Sequence, residues 1–384
     1  MAPIRTAIIG LSGNAISSWA SIAHLPYLLS ERGRSQYEIV ALLNTSVESA
    51  QNSIKLFSLP PGTKAYGDPD DLARDPDVDL VVCATRVDAH YKATLPSVRA
   101  GKRAFIEWPL AHDAQHAREL AEAAASHGTR TLVGHQGRFA PVMVKLRETL
   151  ESGRIGKVLS SDARSFGGGT DGRDKLGARA AYFMDRAVGG NIYTIIFGHF
   201  FDGLQYVLGD LQNSTAQFQL QRPDVKLVEP TGKVVDTIRS NVPDLIMVNG
   251  TLNGTETTQQ GATVSLRFRA GEPFKGDPAF VWTINGEKGE IRLTSVNGPT
   301  FHAAADNKTV TLEVHDFESD QVQKIEWDWS GWEAELPMVA RSIGTLYDKY
   351  ASGLNDDGTD GLPSFQTALH RHQQLEELLN QWKA

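Results

Sequence analysis

The chain has 384 residues and a formal net charge of -8, with 38 Lys and Arg against 46 Asp and Glu. This length exceeds what one hydrophobic core usually supports, so we expect two domains. No run of Lys or Arg forms a basic stripe, which argues against direct nucleic-acid binding.

The chain has no apolar stretch long enough to cross a membrane, and its N-terminus enters a strand pattern without the apolar run of a signal peptide. Its one cysteine, Cys83, lies in an apolar run, so no intramolecular disulfide can form and a reducing compartment is favoured. We therefore predict a soluble, cytoplasmic protein that does not contact a membrane.

Short β-rich runs alternate with helical patterns over the first 135 residues, which is typical of repeated β-α-β units. The predicted strands cover residues 5–10, 37–43, 78–85, 103–108 and 130–135. Each is apolar on both faces, as in a parallel sheet covered by helices. We predict an α/β fold in which residues 1–135 form an NAD(P)-binding Rossmann domain.

Residues 136–384 have a different pattern, in which long stretches of alternating apolar and polar residues are separated by turn residues. The clearest strand patterns cover residues 262–270, 279–286, 289–295 and 308–317. This alternation predicts an α+β domain with a mostly antiparallel sheet. A helical pattern at residues 363–382 is suited to cover either domain.

A glycine-rich turn follows the first predicted strand and contains Gly10, Ser12, Gly13 and Asn14. In this position backbone N–H groups can approach a pyrophosphate at a helix N-terminus. The motif is incomplete because Ser12 holds the place of the second glycine. A purely structural turn is the alternative, but the position after the first strand of a parallel sheet favours cofactor binding.

The second predicted strand ends in Asn44, Thr45 and Ser46, where an acidic residue normally binds the adenosine ribose of NAD. Three small polar groups cannot repel a 2'-phosphate. We therefore predict NADP slightly ahead of NAD, and a solvated loop that makes no choice is the alternative.

Further segments, at residues 84–91, 101–111, 134–158 and 284–293, follow the glycine turn in order. Together they resemble the Gfo/Idh/MocA oxidoreductases, named for glucose-fructose oxidoreductase and inositol dehydrogenase. The resemblance implies a Rossmann domain followed by a domain with an open, mostly antiparallel sheet whose face often pairs subunits. It also implies that the nicotinamide lies at the domain junction, beneath the substrate.

One departure from this family lies at the end of the fifth predicted strand. Members usually carry E-K-P, in which the lysine assists proton transfer, but this chain has Glu107-Trp108-Pro109. An indole does not titrate near neutrality, so Trp108 cannot shuttle a proton, although it can border the cofactor and substrate. A tryptophan that merely fills the domain junction is the alternative. Glu107 is predicted to border the cofactor.

The resemblance also selects the acid-base candidate. Related enzymes carry an Asp and a His one helical turn apart, and here His199 is kept while Ile195 takes the place of the Asp. Asp202 lies on the same face and can orient the imidazole. At 100° per residue Tyr193 lies about 120° away and is a poorer partner. A histidine satisfied in the core is the alternative for His199.

Other polar residues are predicted to complete the pocket. For the cofactor they are Thr85, Arg86, His90, Gln136 and Arg138. Arg86 replaces a proline of the family and either approaches the cofactor phosphates or lies in solvent.

The glycine-rich segment 165–179 is either a lid or an ordinary loop. The residues that follow it, Tyr182, Asp185 and Arg186, are predicted to contact substrate together with Trp108 and His199.

Two functions remain open. The first is an NAD(P)-dependent oxidoreductase acting on a sugar-like or other small polar substrate, without a metal. The second follows from a resemblance to the branch of the fungal galactose-regulon repressor, which binds NAD or NADP but acts through a protein partner. A homodimer or homotetramer formed through the C-terminal sheet is expected in both cases.

Overall fold

The computed structural model describes residues 2–13, 18–167, 174–353 and 362–383. The chain divides into two compact units, each made of several stretches. The first contains residues 1–136, 187–190 and 330–373, and the second contains residues 137–186, 191–329 and 374–384. Within the described ranges, no helix combines the length and the apolar character needed to cross a membrane.

The strands of the described residues form three sheets. In chain order they are β1 (Ile4–Ile9), β2 (Tyr37–Leu43), β3 (Lys64–Tyr66), β4 (Leu80–Cys83), β5 (Arg103–Ile106), β6 (Thr131–Val133), β7 (Val158–Gly167), β8 (Lys175–Gly177), β9 (Leu211–Gln219), β10 (Asp224–Val228), β11 (Val234–Arg239), β12 (Leu245–Leu252), β13 (Thr258–Ala270), β14 (Phe280–Gly286), β15 (Gly289–Ser295), β16 (Val310–Asp316) and β17 (Gln321–Lys324).

Helices connect and cover these strands. The α-helices are α1 (Leu25–Leu29), α2 (Glu31–Gln36), α3 (Val47–Leu56), α4 (Pro69–Arg74), α5 (Val87–Arg99), α6 (Ala114–Ser126), α7 (Pro141–Glu151), α8 (Gly198–Leu208), α9 (Phe301–Ala304), α10 (Gly331–Glu335), α11 (Met338–Ala351) and α12 (Phe365–Leu379). Short π-helical segments cover Ala20–His24 and Ile192–Phe197, and 3-10 segments cover Gln136–Phe139, Ala178–Met184 and Arg186–Val188.

A six-stranded parallel sheet forms the centre of the first unit. Its strand order is β3-β2-β1-β4-β5-β6, which is the order of a dinucleotide-binding fold. Ala7, Ile8, Val81, Val82 and Phe105 are at most 1% exposed, as expected for strands covered on both faces. The predicted α/β class and its five strands are confirmed. The sequence analysis missed β3 because it is short and only partly buried.

Side-chain caps fix where several helices of the first unit begin. Ser46 accepts a hydrogen bond from a backbone N–H at the start of α3, and Asp68 and Asp113 do the same for α4 and α6. These residues satisfy N–H groups that have no partner inside the helix. The loops that precede the helices are thereby held in defined positions.

An eight-stranded sheet dominates the second unit. Its strand order is β17-β16-β15-β14-β7-β13-β12-β9, and β7 with β13 is its parallel pair. Burial alternates along β14, where Phe280, Trp282 and Ile284 are at most 1% exposed while their neighbours are partly exposed. One face of the sheet thus carries the core, as its alternating sequence predicted. A second sheet of three strands has the order β11-β10-β8.

Candidate functional site

The turn after β1 contains the first predicted cofactor residues. Gly10 has φ +94°, a conformation that side chains rarely adopt. A Cβ at this position would lie 2.5 Å from Cγ2 of Thr85, in the turn after β4. The two turns therefore meet where the strand order reverses, which is the place where this fold binds ligands. Ser12 and Gly13 continue the first turn, and Asn14 lies outside the described residues.

Asn44, at the end of β2, ties this turn to α3. Its side-chain amide donates to the carbonyl oxygen of Leu11 at 2.9 Å and to the hydroxyl of Ser53 at 3.1 Å. Thr45 is exposed, and Ser46 caps α3. Asn44 thus links the glycine-rich turn to α3 through hydrogen bonds. None of residues 44–46 is acidic, and the preference for NADP stays a prediction.

The turn after β4 is already tied to neighbouring groups. Arg86 is half exposed, and its guanidinium donates to both carboxylate oxygens of Asp88, at 2.7 and 2.5 Å. His90 is 1% exposed, and its ring nitrogens lie 2.9 Å from the carbonyl oxygen of Pro109 and 3.1 Å from that of Thr85. Burial lowers the pKa of His90. His90 therefore joins two loops of the predicted cofactor site.

Glu107 belongs to a buried network in the first unit. Its Oε1 lies 2.9 Å from Nε2 of His24, whose Nδ1 lies 2.9 Å from the hydroxyl of Tyr347. His24 is completely buried and Glu107 is 7% exposed. A Cβ at Gly134 would lie 2.5 Å from Oε2 of Glu107, so the next strand approaches this carboxylate closely. This network holds the backbone in place just after the end of β5, next to Trp108.

Trp108 is 4% exposed and packs between two imidazoles of the first unit. Its ring centroid lies 4.3 Å from that of His135 and 4.7 Å from that of His372, with both pairs tilted. Burial lowers the pKa of His372 to about 3, so this ring is neutral at physiological pH. Trp108 is thus a packed part of the core of the first unit, and the alternative of a tryptophan that only fills the interior fits this packing.

Gln136 follows β6 and is completely buried. Neither its amide nitrogen nor its amide oxygen has a hydrogen-bond partner in the described part of the chain. Burying an unsatisfied amide costs free energy, so this group is suited to bind a polar ligand. Together with the Gly10 turn, it makes the first unit compatible with a bound dinucleotide.

His199, in the second unit, stacks on His302. Their ring centroids lie 4.0 Å apart at an interplanar angle of 11°. His199 is partly exposed, whereas burial lowers the pKa of His302 to about 4 and keeps that ring neutral at pH 7. The neutral His302 ring therefore adds no positive charge beside His199.

A small cavity lies beside this pair within the second unit. About 20 Å³ of it is open to the centres of water molecules, which is room for about one water. Its walls are mainly apolar, with His199 and His302 among them; the others include Met143, Phe200, Leu204, Phe280, Trp282 and Phe301.

Arg138 and Asp202 form a buried ion pair. Nε of Arg138 donates to Oδ2 of Asp202 at 2.9 Å, and Nη2 donates to Oδ1 at 2.6 Å. They are 7% and 2% exposed, respectively. Burial lowers the pKa of Arg138, but the Asp202 charge outweighs this and the net shift is upward. Both carboxylate oxygens thus have Arg138 as a partner, and the role of Asp202 in orienting His199 stays a prediction.

The segment before α8 is not a regular α-helix. Ile192–Phe197 is π-helical, so the assumed 100° per residue between Tyr193 and His199 was wrong. Asn191 caps the segment by accepting from the N–H groups of Tyr193 and Thr194. Tyr193 is 2% exposed and donates to a backbone carbonyl at 2.6 Å, so it has a structural role.

Of the predicted substrate residues, Asp185 and Arg186 contact Asn241. Asn241 donates to Oδ1 of Asp185 at 3.3 Å and accepts from the N–H of Arg186 at 2.7 Å. Tyr182 is partly buried in the preceding 3-10 segment. Residues 168–173, part of the predicted lid, lie outside the described residues.

The sequence analysis missed His302 as the partner of His199. The two residues are far apart in sequence, and a single histidine in the four-residue helix α9 carries no pattern that identifies its contact. The spacing of His112, Asp113 and His116 also carries information that the sequence prediction did not include. The fold brings the potential metal-ligand atoms of these residues together.

Two family models match the chain. The model described as an oxidoreductase family with an NAD-binding Rossmann fold matches residues 4–135. The model of the Gal80p C-terminal domain matches residues 141–295. These matches agree with the parallel sheet of the first unit and the mostly antiparallel sheet of the second.

Curated relatives include an enzyme and a regulator. The chain is 30% identical to dehydrogenase aclE of Aspergillus oryzae over 291 residues, which is 76% of each protein. It is also 30% identical to the galactose/lactose metabolism regulatory protein GAL80 of Saccharomyces cerevisiae over 302 residues, covering 76% of this chain and 67% of GAL80.

Solved structures share the whole fold. A super-repressor mutant of Gal80p from S. cerevisiae matches with a TM-score of 0.86 at 24% identity, covering 99% of this chain and 96% of that one. Levoglucosan dehydrogenase, in complex with NADH and L-sorbose, matches with a TM-score of 0.73 at 16% identity, covering 99% and 97%.

The strand order of the first unit and the family model that matches residues 4–135 define the class as an oxidoreductase with a Rossmann domain. The 30% identity to dehydrogenase aclE, over 76% of that protein, identifies the family within this class. The chain belongs to the Gfo/Idh/MocA oxidoreductase family, and GAL80 is among its relatives.

Proposed function

We propose that the protein is an NAD(P)-dependent oxidoreductase acting on a carbonyl or alcohol carbon of a sugar-like or other small polar substrate. The nicotinamide, when bound, supplies the hydride chemistry. The residues proposed to hold the dinucleotide are those around the Gly10 turn and the unsatisfied amide of Gln136. NADP is proposed ahead of NAD because none of residues 44–46, which follow β2 directly, is acidic.

The observation that carries the enzymatic proposal is the pairing of His199 with a neutral His302. A partly exposed imidazole beside an uncharged ring can give a proton to a substrate oxygen, or take one from it, near neutral pH. Trp108 cannot share this task because an indole does not titrate. The whole of the proton transfer is therefore assigned to His199, in place of the lysine of related enzymes.

The test combines cofactor titration with turnover. NADH and NADPH are each titrated calorimetrically into the wild type, His199→Ala and His315→Gln, a matched variant of a partly exposed histidine on β16. Turnover is then followed by nicotinamide absorbance against polyols and aldoses. We expect His199→Ala to lower kcat/KM by at least about 100-fold with unchanged nucleotide affinity, and His315→Gln to retain activity.

Two results would contradict this proposal in different ways. If neither nucleotide binds, the cofactor assignment fails. If nucleotide binds and His199→Ala turns over like the wild type, the acid-base assignment fails while the cofactor assignment remains.

A regulatory function is the second candidate, and the packed Trp108 favours it. A core tryptophan in place of a catalytic lysine keeps the fold but removes a titratable group. The 30% identity to a regulatory protein also supports this candidate. A regulator would bind NADP, turn over no substrate, and capture a protein partner to different extents with and without NADP.

A further inference from the structure

Three side chains at the start of α6 form a cluster that the proposed function does not use. His112, Asp113 and His116 each offer one potential ligand atom, and these atoms lie within 4.8 Å of one another. Nε2 of His112 is 3.1 Å from Oδ2 of Asp113, and Nδ1 of His116 is 2.8 Å from Oδ1 of the same carboxylate. Two imidazoles and a carboxylate thus converge on one small volume of the first unit.

The local fold holds these groups in place. Asp113 caps α6, since its Oδ1 accepts from the N–H of His116 at 2.8 Å. The two imidazole rings lie 4.2 Å apart, and the Tyr91 ring meets that of His116 edge-on at 4.4 Å. The backbone at Gly189 is so near that a Cβ there would lie 2.3 Å from Cα of His112. Prior ordering of this kind reduces the entropy cost of binding.

The cluster is accessible and carries a suitable charge. The side chains of His112, Asp113 and His116 are 26%, 41% and 29% exposed, so an ion can enter from solvent. Asp113 contributes a carboxylate oxygen beside the two imidazole nitrogens. His372 interacts electrostatically with Asp113 and His112. Because its ring is neutral, it does not repel a cation bound by the cluster.

We propose that His112, Asp113 and His116 bind a divalent first-row transition metal ion, with zinc the expected occupant. Imidazole nitrogens suit zinc, nickel, copper and iron, whereas magnesium and calcium take oxygen ligands. Two histidines and one carboxylate also form the ligand set of several zinc enzymes. Three protein ligands leave at least one position for water, so the site is of the open kind.

Binding is compatible with the helix cap. Oδ1 of Asp113 keeps its hydrogen bond to the N–H of His116, while Oδ2 is available to the metal. In the absence of metal, the same groups form the hydrogen bonds observed in the structure.

The test is calorimetric titration of zinc chloride into the full-length protein, without a histidine tag and after removal of metal with a chelator. The variants are His112→Gln and His116→Gln, which keep a polar side chain and leave the Asp113 cap intact. The control is His127→Gln, because His127 is exposed at the other end of α6. Thermal unfolding followed by circular dichroism checks that each variant is folded.

We expect the wild type and His127→Gln to bind one zinc ion per chain with equal affinity. A separate titration with magnesium chloride should release less heat. Loss of an outer partner of a metal ligand costs about 10- to 100-fold in affinity, so loss of a ligand should cost at least about 100-fold. The proposal is overturned if folded His112→Gln and His116→Gln bind zinc as the wild type does. It is also overturned if the wild type does not bind zinc, which would leave the cluster as a hydrogen-bonded helix cap.

Discussion

Trp108 changes the chemistry of one position without changing the fold. A buried lysine would need a partner for its charge, whereas the indole is 4% exposed and packs on two imidazoles. The position therefore contributes packing in place of proton transfer. Any turnover must depend on another titratable group, for which the partly exposed His199 is the candidate.

His302 and His372 illustrate how burial sets the charge of a histidine. Both are buried, and burial lowers their pKa values to about 4 and about 3 because an imidazolium is poorly solvated in the interior. Neither is protonated at neutral pH. His199 therefore stacks on an uncharged ring.

Stability should fall on mild acidification because of these two residues. The unfolded imidazole has a pKa near 6.5, above both folded values, so the unfolded state binds more protons below that pH. Stability is therefore complete above pH 6.5 and decreases as the pH falls towards the folded pKa values. Between pH 6.5 and 5 each residue should contribute a loss of about 2 kcal/mol.

Urea unfolding of the wild type and His302→Gln at both pH values measures this effect. The variant should lose less stability between pH 6.5 and 5 than the wild type, and the exposed-site variant His127→Gln should behave like the wild type. Equal pH dependence of all three proteins would show that His302 is not held neutral by the fold.

At the scale of elements, the turn after β1 depends on its neighbours on both sides. Gly10 takes a backbone conformation that favours glycine, and the turn after β4 leaves no room for a side chain. Asn44 holds the same turn from the side of α3. Three loops at the carboxyl ends of β1, β2 and β4 thus define one surface.

Gly10→Ala should disturb this surface. The added methyl group meets Thr85 and the positive φ is unfavourable for alanine, so we expect a loss of about 1–2 kcal/mol in stability and weaker NADPH binding. Calorimetric titration of NADPH measures the affinity. Gly62→Ala is the control because a Cβ at Gly62 meets no atom within 4 Å. Unchanged affinity in Gly10→Ala would place the dinucleotide away from this turn.

For the whole molecule, the open question is whether copies of the chain associate. The face of the eight-stranded sheet opposite the core presents polar side chains, such as those of Asp162, Arg164, Ser265 and Thr283, which are exposed or partly exposed. Subunit pairing through this sheet stays a prediction based on the family. A polar interface would need matched hydrogen bonds across the pair.

Thr283→Arg tests this prediction at the centre of the sheet. If the face pairs subunits, a large charged side chain on β14 should shift the mass measured by analytical ultracentrifugation from dimer or tetramer towards monomer. Gln51→Arg, on the exposed side of α3, should leave the mass unchanged. A wild-type monomer, or an unchanged assembly in Thr283→Arg, would contradict pairing through this face.

Local residue patterns were enough to predict the architecture. Apolar runs spaced by helical patterns predicted the parallel sheet of the first unit, and alternating stretches predicted the strands β13 to β16. These features are readable because burial imposes a local period on each element. The weakly patterned strand β3 and the π-helical segment before α8 were not predicted, since each depends on its surroundings more than on its own residues.

The contacts between side chains could not be predicted from these local patterns and follow from the folded structure. It stacks His199 on His302, pairs Asp202 with Arg138, and packs Trp108 between His135 and His372. Such contacts join residues that are distant in the chain, and no local period encodes them. Charge states follow from the same contacts, because burial and neighbouring charges, not residue type alone, set each pKa.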